Sequence, residues 1–327
     1  MRFSLESKPF ENAGSFGRVE KIERYIIHAD ENELEVVAGY GAALNGWRVS
    51  EGGKTHELLY GYRNNKMFWE VHQDLNAGAC LSPFPGRTNN AVWEWKGETY
   101  RLLNNVSWSL HAVHGFLFDD DWVMKSFTTE EKSAELVLEY TFKGDEGFPF
   151  PYRITNIYTF FGKSFTVKSI VENTGTETLP YAQGFHPYFM LGCKRKDLTI
   201  TLPKCHRALV NFADIPTGNF EPEERFTGTS TLGKTEINDY FSFDTASNER
   251  ETISLQSQKT GERIDVWQKT GKGLYRGVQL YTPPNAEAIA VEPMTSAPDV
   301  LNHHRELIEI SPEKSVELLW GADFSTF

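Results

Sequence analysis

The sequence predicts an all-β fold, a large antiparallel β-sandwich. Three observations carry that expectation. Apolar residues recur with period two, turn residues separate the alternating runs, and no βαβ rhythm or long amphipathic helix interrupts them. At 327 residues the chain can bury a large core, and sandwiches of this length occur as one unit. Residues 1–327 are therefore expected to form a single domain.

Taken in chain order, the first element is a short helical turn around residues 62–69. In AELVLEYTF, Leu136, Leu138, Tyr140 and Phe142 share one face while Glu135, Glu139 and Thr141 take the other. In SFTVKSIVEN, Phe165, Val167 and Val171 oppose Thr166, Lys168 and Glu172. Such alternation marks half-buried strands. A second helical turn is expected near Asp239. ISLQSQKTGERIDVW reads as a hairpin, with Ile253 and Leu255 on one arm, a turn at Thr260-Gly261, and Ile264 and Val266 on the other. AIAV, residues 288–291, is short, apolar and continuous, as in a strand buried on both faces.

Composition narrows the function. A net charge of −12 argues against nucleic acid, whose binding needs Lys and Arg on phosphates, and against anionic membrane surfaces. A neutral or cationic small molecule is the better partner, and the 13% aromatic content suits both strands and sugars. The N-terminal stretch has no apolar run of signal-peptide length, and nothing approaches a membrane span, so a cytoplasmic protein is expected. Cys80, Cys193 and Cys205 are too widely spaced for a disulfide framework or a zinc site.

Several residues could carry chemistry. Glu292 follows AIAV directly and precedes Pro293. A Glu leaving the core is either a strand-end carboxylate reaching solvent or a desolvated base. His186, in GFHPYF, is either a packed structural imidazole or a general acid near neutrality. His111 and His114 are three apart, which on a strand points them to opposite sides, and no third ligand stands at metal spacing. Asp119-Asp120-Asp121 lacks the alternation of a calcium loop. Arg87, in SPFPGRTNN, is held by prolines and a glycine and could fix an acceptor or form a surface ion pair. Asp239, in INDYFSF, is either a turn residue or a hydroxyl acceptor. AGYGAALNG fails the dinucleotide fingerprint because Leu44 replaces the third Gly, and neither a phosphate-cradling loop nor a G-x-S-x-G elbow is found.

The order of the segments is more specific than any one of them. SPFPGRTNNAVWEWKGETYRL precedes HGFLFDDDW. DEGFPFPYRITNIYTF, ENTGTETLPYAQGFHPYF, IPTG, INDYFSF, VQLYTPP and VEPMTSAPDVLN then follow. This series resembles the aldose 1-epimerase (galactose mutarotase-like) family from about Val36 to Trp320. HPYF and VEPMTSAPDVLN are its most specific pieces.

The resemblance implies a β-supersandwich with a sugar pocket on one face and no cofactor or metal. It assigns Glu292 as general base and His186 as general acid. His114 matches the second active-site histidine, Arg87 and Asp239 match sugar-binding positions, and Gln279 lies in a pocket-lining segment. Departures from the galactose enzymes occur at Gly86, His114-Gly115-Phe116, Gly184-Phe185 and Met190. They point to a divergent bacterial branch and leave the sugar open.

Three rivals remain. A hexose-6-phosphate epimerase would need Arg87, Arg63, Lys66 or Arg276 to converge on a phosphate. A silent carbohydrate-binding protein would not need a poised acid–base pair. A glycoside hydrolase would set Glu292 and Asp239 across one bond.

Overall fold

The alternation seen in the sequence becomes burial in the computed structural model, which describes residues 1–13, 19–244 and 250–327. Along Ser164–Asn173 every second side chain is buried, from Phe165 through Val167, Ser169 and Val171 to Asn173. Tyr152–Phe160 alternates in the same way and pairs with it in register, Ile154 opposite Val171 and Tyr158 opposite Val167. These strands belong to a nine-stranded sheet. Its spatial order begins Val123–Thr129, Ala134–Phe142, Tyr152–Phe160, Ser164–Asn173, Ser315–Thr326, Glu262–Lys269 and Arg250–Ser257, and ends with two short strands. The expected hairpin closes where Gly261 donates to Ser257 O at 2.9 Å, and its arms pair Leu255 with Ile264 and Ile253 with Val266.

An eight-stranded sheet carries the candidate site. Asn238–Phe243, Gly277–Tyr281, Ile289–Met294 and Gly184–Phe185 lie side by side within it. A five-stranded sheet covers the N-terminal region from Phe3–Ser7 to Lys54–Glu57. The strand pairs in all three sheets are antiparallel. One apolar cluster runs through them from Ile27 to Phe324, with Trp47, Trp93 and Trp320 fully buried. No helix among the described residues is long and apolar enough to cross a membrane.

Two local expectations are corrected. The turn around residues 62–69 is a three-turn helix, Asn65–Leu75. Asn64 caps it by accepting from the Met67 N–H at 2.9 Å, and Asn76 ends it in the left-handed region at φ 47°. Its buried stripe includes Phe68 stacked on His72 one turn later, centroids 4.7 Å apart. A histidine standing in for an apolar residue hid the helical period. Asp239 lies not in a helical turn but in the strand Asn238–Phe243, paired with Gly277–Tyr281.

Candidate active site

Strand register builds the site. Gly184 lies opposite Met294, Tyr188 opposite Ala290 and Phe189 opposite Ile289, one register that sets His186 opposite Glu292. Val291 N–H donates to Pro187 O at 3.2 Å, so the neighbouring His186/Glu292 pair is non-hydrogen-bonded, the kind whose side chains lie closer. Pro187 and Pro293 each forgo a ladder donor beside that pair. On the other side of the same strand, Gln279 lies opposite Glu292 and Tyr240 opposite Gln279.

The result is a cavity of about 360 Å³ whose lining includes Glu292, His186, His114, Arg87 and Gln279. Glu292 is 2% exposed and His186 is 7% exposed, with Nε2 of the imidazole 3.6 Å from Oε1 of the carboxylate. The His186 ring stacks on Tyr188 with centroids 4.8 Å apart and meets the His114 ring edge-on at 5.3 Å. Its Nδ1 is buried with no hydrogen-bond partner among the described residues, so packing holds the ring.

Burial dominates the electrostatics. It pushes Glu292 well above its ordinary 4.5, opposed by the Arg87 charge. It pulls His186 down to about 4. Both groups are thus driven toward their neutral forms. His114 also falls well below 6.5, through burial and then the neighbouring His186 and Arg87. Its Nδ1 accepts from the Gly86 N–H at 3.2 Å, which leaves a neutral ring with Nε2–H as donor.

The loops after the strands fix Arg87. Gly86 has φ +68°, and a Cβ there would stand 2.7 Å from Pro298 Cβ, so only glycine fits. Asp299 N–H donates to Arg87 O at 2.6 Å, and Asp299 Oδ1 accepts from Asn89 N at 2.8 Å and Asn302 Nδ2 at 2.7 Å. The Arg87 guanidinium reaches Asp214 at 3.3 Å and the Trp108 ring at 6.0 Å.

Asp239 is a correction. It shares its pairing row with the core residue Leu280, one position out of phase with the cavity face, and is not among the lining residues. Its carboxylate instead meets Arg225 at 3.1 Å and Arg207 at 3.5 Å. Asn238 takes the cavity position and accepts from Gln279 Nε2 at 2.9 Å.

Asn238, Tyr281, Tyr188, Asn76 and Trp108 line the cavity without having been read from the sequence. Tyr281 was within reach, because alternation in VQLY puts it on the Gln279 face. Trp108 carried no local signal. Arg63 and Lys66 open on a different cleft, and Arg276 pairs with Glu306 at 3.1 Å, so neither set joins Arg87. His111 and His114 do not converge, since His111 Nδ1 accepts from Asn90 N at 2.9 Å.

Comparison with known proteins agrees with this architecture. A galactose mutarotase-like protein from Clostridium acetobutylicum superposes with a TM-score of 0.83 at 14% identity, over 99% of both chains. Galactose 1-epimerase from Lactobacillus acidophilus gives 0.77 at 14% identity, again over 99% of both. These likenesses establish the fold. In sequence, the uncharacterised Escherichia coli protein YihR is 26% identical over 253 residues, covering 75% of this chain and 78% of its own. YphB of the same organism is 32% identical over 111 residues, 34% of this chain, and the match spans only 36% of YphB. Maltose epimerase of Levilactobacillus brevis is 24% identical over 212 residues, 62% of this chain and 59% of that protein. The aldose 1-epimerase family model matches residues 23–318, so the chain belongs to the aldose 1-epimerase family.

Proposed function

We propose that this protein interconverts the α and β anomers of a free aldohexose by opening and re-closing the ring, with Glu292 as base and His186 as acid. The observation that carries this reading is the 3.6 Å approach of the two groups inside the cavity. Ring opening removes the proton from the C1 hydroxyl and adds one to the ring oxygen. Both oxygens are bonded to the same carbon, so the acid and base must converge on one spot. The roles need one proton, on His186 with Glu292 bare; burial favours the reverse placement, so the bound sugar's hydroxyls must draw it across by donating to the Glu292 carboxylate. Closure on the other face of the aldehyde reverses the transfers and restores the pair. His114, as a neutral donor, Arg87, Gln279 and Asn238 offer hydrogen bonds to the remaining hydroxyls.

The rivals find less support. Of the four cations that a phosphate would call on, Arg87 alone lines the cavity, and it already meets Asp214. A glycosidase needs two carboxylates across a bond, and Glu292 is the one carboxylate among the lining residues. A pure binding protein gains nothing from burying an undonated carboxylate beside an imidazole.

Polarimetry of fresh α-D-glucose and α-D-galactose tests the proposal. The wild type is expected to speed relaxation of at least one sugar, and Glu292→Gln to abolish that acceleration. Full activity in Glu292→Gln would falsify the assignment of the base.

A further inference from the structure

The reacting end of the sugar has a fixed direction. Glu292 and His186 are almost wholly buried, whereas Trp108, which lines the same cavity, is 52% exposed. Arg87 stands between floor and rim. Its charge acts on Glu292 and His114 below, while its guanidinium reaches Trp108 and Asp214 above. A pyranose placed with C1 and its ring oxygen at the acid–base pair turns its opposite edge, C3 and C4, toward that rim.

The rim has the chemistry of a sugar platform rather than of a closed wall. Trp108 presents an indole at the mouth, and pyranose C–H faces pack on such rings. Beside it, the Arg87–Asp214 pair offers donors and acceptors to hydroxyls. Asp214 sits in a tight turn, Asp214 N–H donating to Asn211 O at 3.1 Å, that also carries the fully exposed Phe212. An exposed Trp and an exposed Phe on two loops joined through one arginine are an unusual expense for a surface that meets only water.

We propose that Trp108, with Asp214, forms a second subsite that holds a glycosyl unit attached at O4 of the aldose being epimerised. The substrate class is then a reducing disaccharide or longer oligosaccharide, with its reducing unit in the cavity and the next unit on Trp108. This rests on the proposed ring-opening reaction for the direction of the sugar, and it adds a specificity-determining residue outside the acid–base pair.

The test compares kcat/KM for anomerisation of D-glucose and of maltose, a 4-O-glucosylglucose, in wild type, Trp108→Ala and Trp108→Tyr. The ratio of maltose to glucose kcat/KM is expected to fall about three- to tenfold in Trp108→Ala, the range of one aromatic stacking contact, and to be largely restored in Trp108→Tyr. An unchanged ratio, or one that Trp108→Tyr fails to restore, overturns the subsite. Calorimetry with Glu292→Gln and with the Glu292→Gln/Trp108→Ala double variant separates this from the reaction itself. Maltose is expected to bind Glu292→Gln more tightly than glucose and to lose that margin in the double variant. If wild type accelerates neither sugar but the margin is present, the reaction fails and the subsite stands. If maltose binds no tighter than glucose, the subsite fails whatever the rates show.

Discussion

Glu292 and Glu262 are both almost fully buried, at 2% and 1% exposure, yet their surroundings are opposite. Glu262 collects four donors: Lys54 Nζ at 2.8 Å, His56 Nδ1 at 2.6 Å, Gly192 N at 2.5 Å and Thr260 Oγ1 at 2.9 Å. Burial alone would raise its pKa, but the hydrogen bonds from Lys54, Gly192, His56 and Thr260 outweigh it and hold the carboxyl at about 2. Glu292 has no hydrogen-bond donor among the described residues, and burial pushes it up. A carboxylate wrapped in donors ties the strand Lys54–Glu57 to the hairpin of the nine-stranded sheet. A carboxylate denied donors is, on the proposed reaction, left open to a substrate hydroxyl. Burial is shared by the two, and donor count is what divides the anchor from the proposed base.

Substitution of each glutamate by Gln should separate the roles. Glu292→Gln is expected to lower kcat by about 10³-fold, within the range of general acid–base catalysis, with no loss of unfolding free energy. Rates by polarimetry and urea unfolding of the same sample check this. A destabilised Glu292→Gln would erase the contrast.

Glu262→Gln is expected to cost about 2–3 kcal/mol in urea unfolding, because it leaves His56 and Lys54 without their carboxylate, while kcat/KM of the folded protein is retained. A loss of activity without loss of stability would turn Glu262 into a functional residue.

The pH responses should also differ. Glu262 has a folded pKa near 2 against an ordinary 4.5, so its contribution to stability is present above 4.5 and disappears as pH falls toward 2. The proposed acid–base pair needs one proton. As pH falls through about 4, His186 takes a second proton, and as pH rises through the elevated value of Glu292 the pair loses its only one. A bell-shaped kcat/KM profile is expected, with its acid limb near 4 and its alkaline limb above 4.5. A profile flat across both limbs would reject the acid–base pair.

The smallest effects concern the neighbours Asn238 and Asp239. Asn238→Ala is expected to raise KM about fivefold, the worth of one neutral hydrogen bond, and Asp239→Asn to leave KM within about twofold. Steady-state kinetics of the two variants decide the register. The reverse order would restore Asp239 to the sugar site.

That last pair shows where local reading stopped. INDYFSF contains both an amide and a carboxylate, and a one-residue shift in pairing exchanges which of them faces the cavity. Register depends on the partner strand Gly277–Tyr281, some forty residues later, so no local pattern could choose. The helix Asn65–Leu75 was hidden for a related reason: the half-buried His72 joins the apolar stripe through its ring contacts with Phe68, Tyr40 and Trp69, and Tyr40 comes from outside the helix. In contrast, Ala134–Phe142, Ser164–Asn173 and the Arg250–Lys269 hairpin were legible, because each shows its buried face within a few residues and closes with local turn chemistry.

The sequence by itself determined the sheet-rich class, the hairpins and, through the ordered motifs, the family. It also singled out Glu292, His186, His114, Arg87 and Gln279, all of which line one cavity. Tertiary structure decided the rest. It chose Asn238 over Asp239, brought Trp108 and Asp214 to the mouth, kept Arg63, Lys66 and Arg276 away, and gave Glu262 the donors that Glu292 lacks. The physical reason is range. Alternation and turns act between neighbours along the chain, whereas register, desolvation and donor count arise only when distant strands meet.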